Sequence, residues 1–321
     1  MGRSAKLGIR LAVLAGFVLA AAGSVFYARP VECLRAWQHV KMRLDGVEGS
    51  WVTVNGVRMR SYVRGPVDGK PVVLVHGLGG SAEDWLKLAP YLVKAGYRVY
   101  TPDLPGYGES EQPGSWTYSI PEEAGAVVGY MDALGLKQVD LGGWSMGGWI
   151  VQRVAAEHPE RVRRLTIFDS AGLKLKPDWD TGLFTPKNRA DVEALSAMLY
   201  PKPQPLAEFI VRDVVRNAKE NGWVIQSALK QMLTAKDVTD AQLPQLKMPV
   251  LMLWGDADRV TPMSEGRTMH GLVPQSHLAV APGCGHMAPV ECSASFGPEL
   301  VRFLQAEPAV TGGEVTLKLP I

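Results

Sequence analysis

The sequence predicts an α/β fold, a mainly parallel sheet covered by helices on both faces, and three observations carry that prediction. Short apolar runs alternate with stretches of helical periodicity: Val72 to Val75, Arg98 to Tyr100, Val139 to Leu141, Leu165 to Phe168, Val250 to Trp254 and Leu278 to Val280. Near-continuous apolar strands separated by helices mark a sheet buried on both faces. Several of these runs end in loops rich in Gly, His, Ser and Asp. In open α/β sheets the loops leaving the carboxyl ends of the strands gather the active site. Finally, 46% hydrophobic and 21% charged residues in a chain of 321 are enough for a full core and show no compositional sign of disorder.

Taken in order, residues 1–30 stand apart. Arg3, Lys6 and Arg10 precede an uncharged stretch from Leu11 to Ala28, read here as an uncleaved signal-anchor that holds the protein at a membrane. Export followed by cleavage near Ala20-Ala21-Ala22 is the alternative. Residues 31–50 read as an amphipathic juxtamembrane helix and linker. Val31, Leu34, Trp37, Val40 and Leu44 form an apolar stripe with Arg and Lys off it, suited to a membrane surface or to packing on the core.

From residue 51 the character changes. Trp51 to Val54, the Asn55-Gly56 turn and Val57 to Val63 read as a hairpin that opens the main domain, whose first part runs over 51–171. Between Gly172 and Lys247 (172–247) the strand–helix alternation gives way to helix-like segments with Leu206, Phe209, Ile210 and Val214 at helical spacing, a predicted lid. Residues 248–307 resume the core, and 308–321 read as a loose tail.

The most informative stretch is Gly143-Trp144-Ser145-Met146-Gly147, between the strand Val139 to Leu141 and a helix from Trp149 to His158. A Ser on so sharp a strand-to-helix turn is held in strained geometry, which requires near-absent side chains two residues to either side. The helix N-terminus beneath it offers unpaired N–H groups to negative charge developing near its Oγ. Ser145 is therefore the candidate nucleophile. A Gly-rich turn whose Ser merely caps a helix is the bland alternative, and the rest of the chain decides between them.

Upstream, the run Val72 to Val75 ends in His76-Gly77-Leu78-Gly79-Gly80, a loop suited to placing the Leu78 backbone N–H opposite Ser145, with the Met146 N–H as second donor. Downstream, Gly255-Asp256-Ala257-Asp258 follows a buried strand, and Gly283-Cys284-Gly285-His286 follows another. Asp258 is the candidate acid and His286 the candidate base. A Ser hydroxyl needs such a base to take its proton, and the base needs an acid to fix its tautomer. Trp144 is a candidate wall of the substrate pocket. His158, His270 and His277 fall in helical or strand stretches and read as structural.

This chemistry calls for no cofactor and no metal. Six scattered His and three Cys without C-x-x-C spacing indicate neither zinc nor a disulfide framework. Cys284 and Cys292 flank His286 and read as buried, inert thiols rather than a pair. A formal net charge of +2 without a basic cluster argues against a nucleic-acid partner.

His76 to Gly80, Asp103 to Ser110 (DLPGYGES), Gly143 to Gly148 (GWSMGG), Leu253 to Pro262 (LWGDADRVTP) and Gly283 to Glu291 (GCGHMAPVE) together resemble the α/β-hydrolase superfamily. The likeness spans about residues 51 to 307. The segment Asp169 to Leu173 is similar to the monoacylglycerol lipase and bacterial lipase-esterase branch. The resemblance implies the α/β-hydrolase fold, a Ser145–Asp258–His286 triad and hydrolysis of carboxylic esters, with a small-molecule or lipid ester as substrate and a membrane surface as partner. Its W-G-x-x-D pattern lands on Asp258 rather than Asp256, and Asp169 is a rarer acid position. Ser293 departs from the Pro that many relatives carry there, which bears on a helix start and not on catalysis.

Rival readings are weaker. Gly77 to Ala82 fits G-x-G-x-x-A with Asp103 ending the next strand, as in a nicotinamide-dependent oxidoreductase, but leaves the three downstream blocks unexplained. A hydrolase fold used only for binding would not need the triad. Carbon–carbon bond hydrolases and peptidases with the same triad stay open.

Overall fold

A computed structural model describes residues 20–174 and 177–318. Among the described residues nine strands form one sheet: β1 (Glu48–Val54), β2 (Val57–Arg64), β3 (Lys70–Val75), β4 (Tyr97–Pro102), β5 (Val139–Trp144), β6 (Val162–Phe168), β7 (Val250–Gly255), β8 (His277–Ala281) and β9 (Glu314–Thr316). Their order is β1-β2-β4-β3-β5-β6-β7-β8-β9. The β1–β2 and β2–β4 pairs are antiparallel and every later pair is parallel. Asn55, at φ 51°, and Gly56, at φ 82°, form the tight turn that the hairpin needs.

The period of two along each strand sorts the core into two layers. Val73 and Val75 of β3, with Met252 and Trp254 of β7, face α3 (Ile120–Ala133), α4 (Met146–Glu157) and α7 (Met263–Leu272). Their neighbours Val72, Leu74, Leu251 and Leu253 face α2 (Ala89–Lys94) and α9 (Ser293–Gln305). Covered on both sides, β5 and β7 are buried at every position, which explains why β7 reads as an unbroken apolar run and β5 as one interrupted only by Asp140.

Between β6 and β7 the chain forms a helical insertion built on α5 (Arg189–Leu199) and the long α6 (Glu208–Met232). Asn188 starts α5 by accepting a hydrogen bond from the Asp191 N–H. Val211, Val224, Ala228 and Leu229 form the buried stripe of α6.

The membrane-anchored localisation expected from the N-terminus is corrected here. Residues 1–19 lie outside the described residues, and among the described residues no helix is long and apolar enough to cross a membrane. Residues 20–28 are helical, the helix breaks at Arg29, and Pro30 opens a second helix, α1 (Pro30–Leu44). Pro lacks the N–H needed to continue a helix but suits its first turn, so residues 20–28 and the stripe fall on separate elements. Tyr27 stacks on Phe209 of α6 at 5.3 Å, and the Val31 N–H donates to Asp213 Oδ2 at 2.8 Å. The stripe itself is largely exposed, with Leu34, Trp37, Val40 and Leu44 all open to solvent.

The tail also differs from expectation. Residues Glu314–Thr316 add β9 to the sheet edge, parallel to β8. All three are exposed, so the strand rests on backbone pairing and left no burial pattern in the sequence.

Candidate active site

β5 runs straight into Ser145, whose φ of 57° and ψ of −118° turn the chain directly into α4. The turn exists because of its glycines. A Cβ on Gly143 would lie 2.2 Å from the Gly147 carbonyl oxygen, and one on Gly147 would lie 2.3 Å from the carbonyl oxygens of both Val75 and His76. Strand, turn and helix thus pack closer than any side chain permits. The Ser145 N–H donates to the Phe168 carbonyl at 3.0 Å, pinning the turn to the end of β6.

The loops after β7 and β8 bring Asp258 and His286 to this turn. Ser145 Oγ lies 2.9 Å from His286 Nε2, and His286 Nδ1 lies 2.8 Å from Asp258 Oδ2. With Nδ1–H donating to the carboxylate, Nε2 is left to accept the Ser145 hydroxyl proton. Asp258 Oδ1 accepts the Val260 and Thr261 N–H groups at 2.7 and 3.0 Å, and Oδ2 also accepts the Thr261 hydroxyl at 2.7 Å. Every contact treats Asp258 as an acceptor. Asp256, the other acid on this loop, turns away and accepts the Gly283 N–H at 2.6 Å.

Leu78 faces the same cavity as Ser145. Among the described residues its N–H has no acceptor. Met146 opens α4, so its N–H has no intrahelical partner either. The loop that carries Leu78 is braced by His76, whose Nδ1 donates to the Gly77 carbonyl at 2.8 Å while Nε2 accepts the Leu104 N–H at 3.0 Å. Only a neutral imidazole can do both, and complete burial accordingly lowers its pKa to about 4.

Asp103 is equally committed. Its carboxyl accepts the Ala82 and Glu109 N–H groups at 2.7 and 2.9 Å, so both oxygens serve the protein's own backbone and none is offered to a ribose.

Three features went unread in the sequence. Trp144, expected at the pocket wall, is absent from the cavity lining; its indole N–H donates to the His286 carbonyl at 2.9 Å and so holds the histidine loop. Strand alternation sends its side chain to the sheet face opposite the cavity-side helix α4. Cys284 and Cys292, expected as free thiols, form a disulfide across the loop that carries His286. The short helix α8 (Ala288–Glu291) folds the chain back and brings their Cα atoms to 6.3 Å, a closure that their spacing alone does not disclose. Thr261, which braces Asp258, carried no signal beyond its place three residues after it.

Above Ser145 lies a cavity of about 390 Å³. Trp149, Trp179, Leu229, Met232 and Val260 make its walls largely apolar, and the end of α6 with the chain that follows it supplies one side. Among the described residues two charged side chains line it: Lys174, which is exposed, and Glu265, which is half-buried on α7. Burial, with Asp258 and Asp178 nearby, raises the Glu265 carboxyl to about 7.

The sheet order, the strained serine turn and the loops converging on it define a hydrolase architecture, and residues 70–291 match the family described as alpha/beta hydrolase fold. The chain belongs to that family. It is 30% identical over 287 residues to the 2-hydroxy-6-oxo-6-phenylhexa-2,4-dienoate hydrolase of Burkholderia cepacia, covering 81% of this chain and 97% of that protein. It is 28% identical over 269 residues to Lipase 1 of Psychrobacter immobilis, covering 79% and 83% respectively. Among solved structures, a bacterial membrane phospholipase A described as a virulence factor superposes with a TM-score of 0.75 at 27% identity, over 91% of this chain and 99% of that one. The protein is thus a hydrolase whose relatives include both lipases and carbon–carbon bond hydrolases.

Proposed function

We propose that the protein is a serine carboxylic-ester hydrolase acting on monoacylglycerols or similar lipid-like esters, through an acyl-enzyme on Ser145. The observation that carries this reading is the 2.9 Å contact between Ser145 Oγ and His286 Nε2 at the floor of an apolar cavity. As Oγ attacks the acyl carbon, its proton passes to Nε2, and Asp258 stabilises the imidazolium that forms. The carbonyl oxygen becomes an oxyanion facing the N–H groups of Leu78 and Met146. The tetrahedral species collapses, the C–O bond to the alcohol breaks, and His286 returns the proton to that alcohol. A water, deprotonated by the same imidazole, then attacks the acyl carbon and releases the carboxylic acid and Ser145.

The helical insertion acts in this reading as a lid, and the walls that α6 contributes favour a hydrocarbon chain. A carbon–carbon bond hydrolase is the second reading, favoured by the relative at 30% identity. That relative's named substrate, a dienoate, carries a carboxylate. The walls here offer an exposed Lys174 at one side and a half-buried carboxyl at another, a poor match for a buried anion. Neutral esters suit them better.

The test is Ser145→Ala assayed beside the wild type with a fluorophosphonate probe, esters of graded acyl length and a dienoate. We expect labelling to vanish and ester turnover to fall by about 10⁴-fold or more. Undiminished labelling of the variant would reject Ser145 as nucleophile, and faster turnover of the dienoate than of any ester would reject the ester reading.

A further inference from the structure

Asp169 is buried against the triad and takes no part in the mechanism above. It ends β6, fully buried, with its Oδ1 accepting the Gly255 N–H at 2.7 Å and its backbone carbonyl accepting the Thr261 hydroxyl at 3.0 Å. Its Oδ2 is buried and has no donor among the described residues. The Thr261 hydroxyl that bonds the Asp169 carbonyl also bonds Asp258 Oδ2 at 2.7 Å, which sets the Asp258 carboxyl beside Asp169.

We propose that Asp169 is a positioning residue that remains a neutral carboxylic acid and donates the hydrogen bond of its protonated Oδ2 to the Asp258 carboxylate, so that the two acids together present one negative charge to His286. The proposal rests on the Ser145–His286–Asp258 reading. Two carboxyls in contact within a buried site cannot both ionise without a large repulsion, so one keeps a proton. The hydrogen bonds decide which. Asp258 is met by the Val260 and Thr261 N–H groups, the Thr261 hydroxyl and His286 Nδ1, all of them donors, whereas Asp169 has one donor on Oδ1 and none on Oδ2. The proton therefore belongs to Asp169. An orphaned buried carboxylate oxygen becomes a hydroxyl donor with an acceptor beside it, and the cost of leaving it unpaired disappears. Burial and the Asp258 charge both push Asp169 well above the usual carboxylate range, in the same direction.

The backbone agrees with this assignment. Asp169 sits at φ 40°, in the left-handed region that Asp and Asn tolerate better than other side chains. The titratable groups facing Asp258 are His286 from the loop after β8, Asp169 from β6 and Glu265 from α7. His286 Nδ1–H already donates to Asp258 as the base, which leaves Asp169 as the second acid that can donate to it. Removing that donor concentrates negative charge on Asp258 and makes the imidazolium of His286 easier to form.

The experiment compares Asp169→Asn with Asp169→Gly in the full-length protein. Asn keeps an acceptor for Gly255 and supplies an N–H donor to Asp258, while Gly removes the side chain without straining the positive φ. Asp169→Asn is expected to keep kcat/KM within about threefold of wild type and to leave the acid limb of its pH profile in place. Asp169→Gly is expected to lose about 10- to 100-fold in kcat with little change in KM, and its acid limb should move to higher pH by about one unit. The infrared difference spectrum of wild type minus the Asn variant at pH 8 should show the C=O band of one protonated carboxylic acid, over and above the band that buried Glu123 gives in both proteins.

Equal losses in both variants, or no loss in either, would overturn the proposal, as would an unchanged band. Should the Gly variant fail to fold, the Asn variant's pH profile and the band decide alone. Failure of the triad reading looks different, since Ser145→Ala would then retain its probe labelling whatever Asp169 does.

Discussion

Gly147 shows how much chemistry one missing methyl group can hold in place. Both atoms that a Cβ there would strike, the carbonyl oxygens of Val75 and His76, belong to the backbone and cannot swing aside. Gly147→Ala should therefore cost about 3 kcal/mol of stability and misplace both Ser145 and the Leu78 loop. Urea unfolding and fluorophosphonate labelling should fall together, and a variant as stable and as reactive as wild type would contradict this account. Ser145 could be picked out from sequence because its constraint is local, written into five consecutive residues between a strand and a helix. Thr261 and Asp169 could not, because their importance comes from β6 and β7 lying side by side, with carboxyls from two strand ends pressed together.

At the scale of elements, the loop between β8 and α9 carries His286 and is clamped twice, by the Cys284–Cys292 disulfide and by the Trp144 indole. Closing so short a loop is worth about 2–3 kcal/mol in the chain-entropy account. Replacing both cysteines by Ser should lower the melting temperature and, on the proposed mechanism, reduce kcat more than it changes KM, since there the loop positions the base and not the bulk of the substrate. An unaltered kcat in the double variant would show that the loop keeps its place without the disulfide.

The helix α6 governs a different quantity. Met232→Trp would fill part of the 390 Å³ cavity, and the ratio of kcat/KM for a twelve-carbon ester to that for a four-carbon ester should fall about tenfold. A constant ratio would place the acyl chain elsewhere. The N-terminal stretch teaches the opposite lesson about elements. Composition alone sets the apolar stretch apart from the stripe that follows, whereas the break at Arg29 and the restart at Pro30 show how residues 20–28 part from it, because helix continuity depends on backbone hydrogen bonds that a count of apolar residues does not see.

Across the whole molecule, stability should depend on pH through groups that never touch substrate. His76 is held neutral with its pKa lowered to about 4, while in the unfolded chain it titrates near 6.5. Between those values the unfolded state binds more protons, so the contribution of His76 is complete above pH 6.5 and lost as pH falls toward 4, by about 3 kcal/mol. Asp103 acts in the opposite sense. Burial, with Glu83 nearby, raises it to about 7, so the folded state holds a proton that the unfolded chain releases, and this contribution declines as pH rises toward 7. Comparing urea unfolding of wild type and His76→Gln from pH 4 to 7 separates the two. The gap between the proteins should widen with pH if His76 is held neutral, and a constant gap would show that it is not.

The sequence by itself determined the alternation that builds a parallel sheet buried on both faces, the glycine-framed turn at Ser145, and the strand-end loops carrying Asp258 and His286. These are written in residue type and short spacing, which local sterics and burial translate directly into structure. Only the tertiary structure decided that Trp144 and a disulfide hold the histidine loop, that Asp169 leans on Asp258, that Glu314–Thr316 joins the sheet, and that no described helix is long and apolar enough to cross a membrane. Each depends on groups distant in the chain becoming neighbours, or on where a helix breaks, and no periodicity along the chain records such proximity.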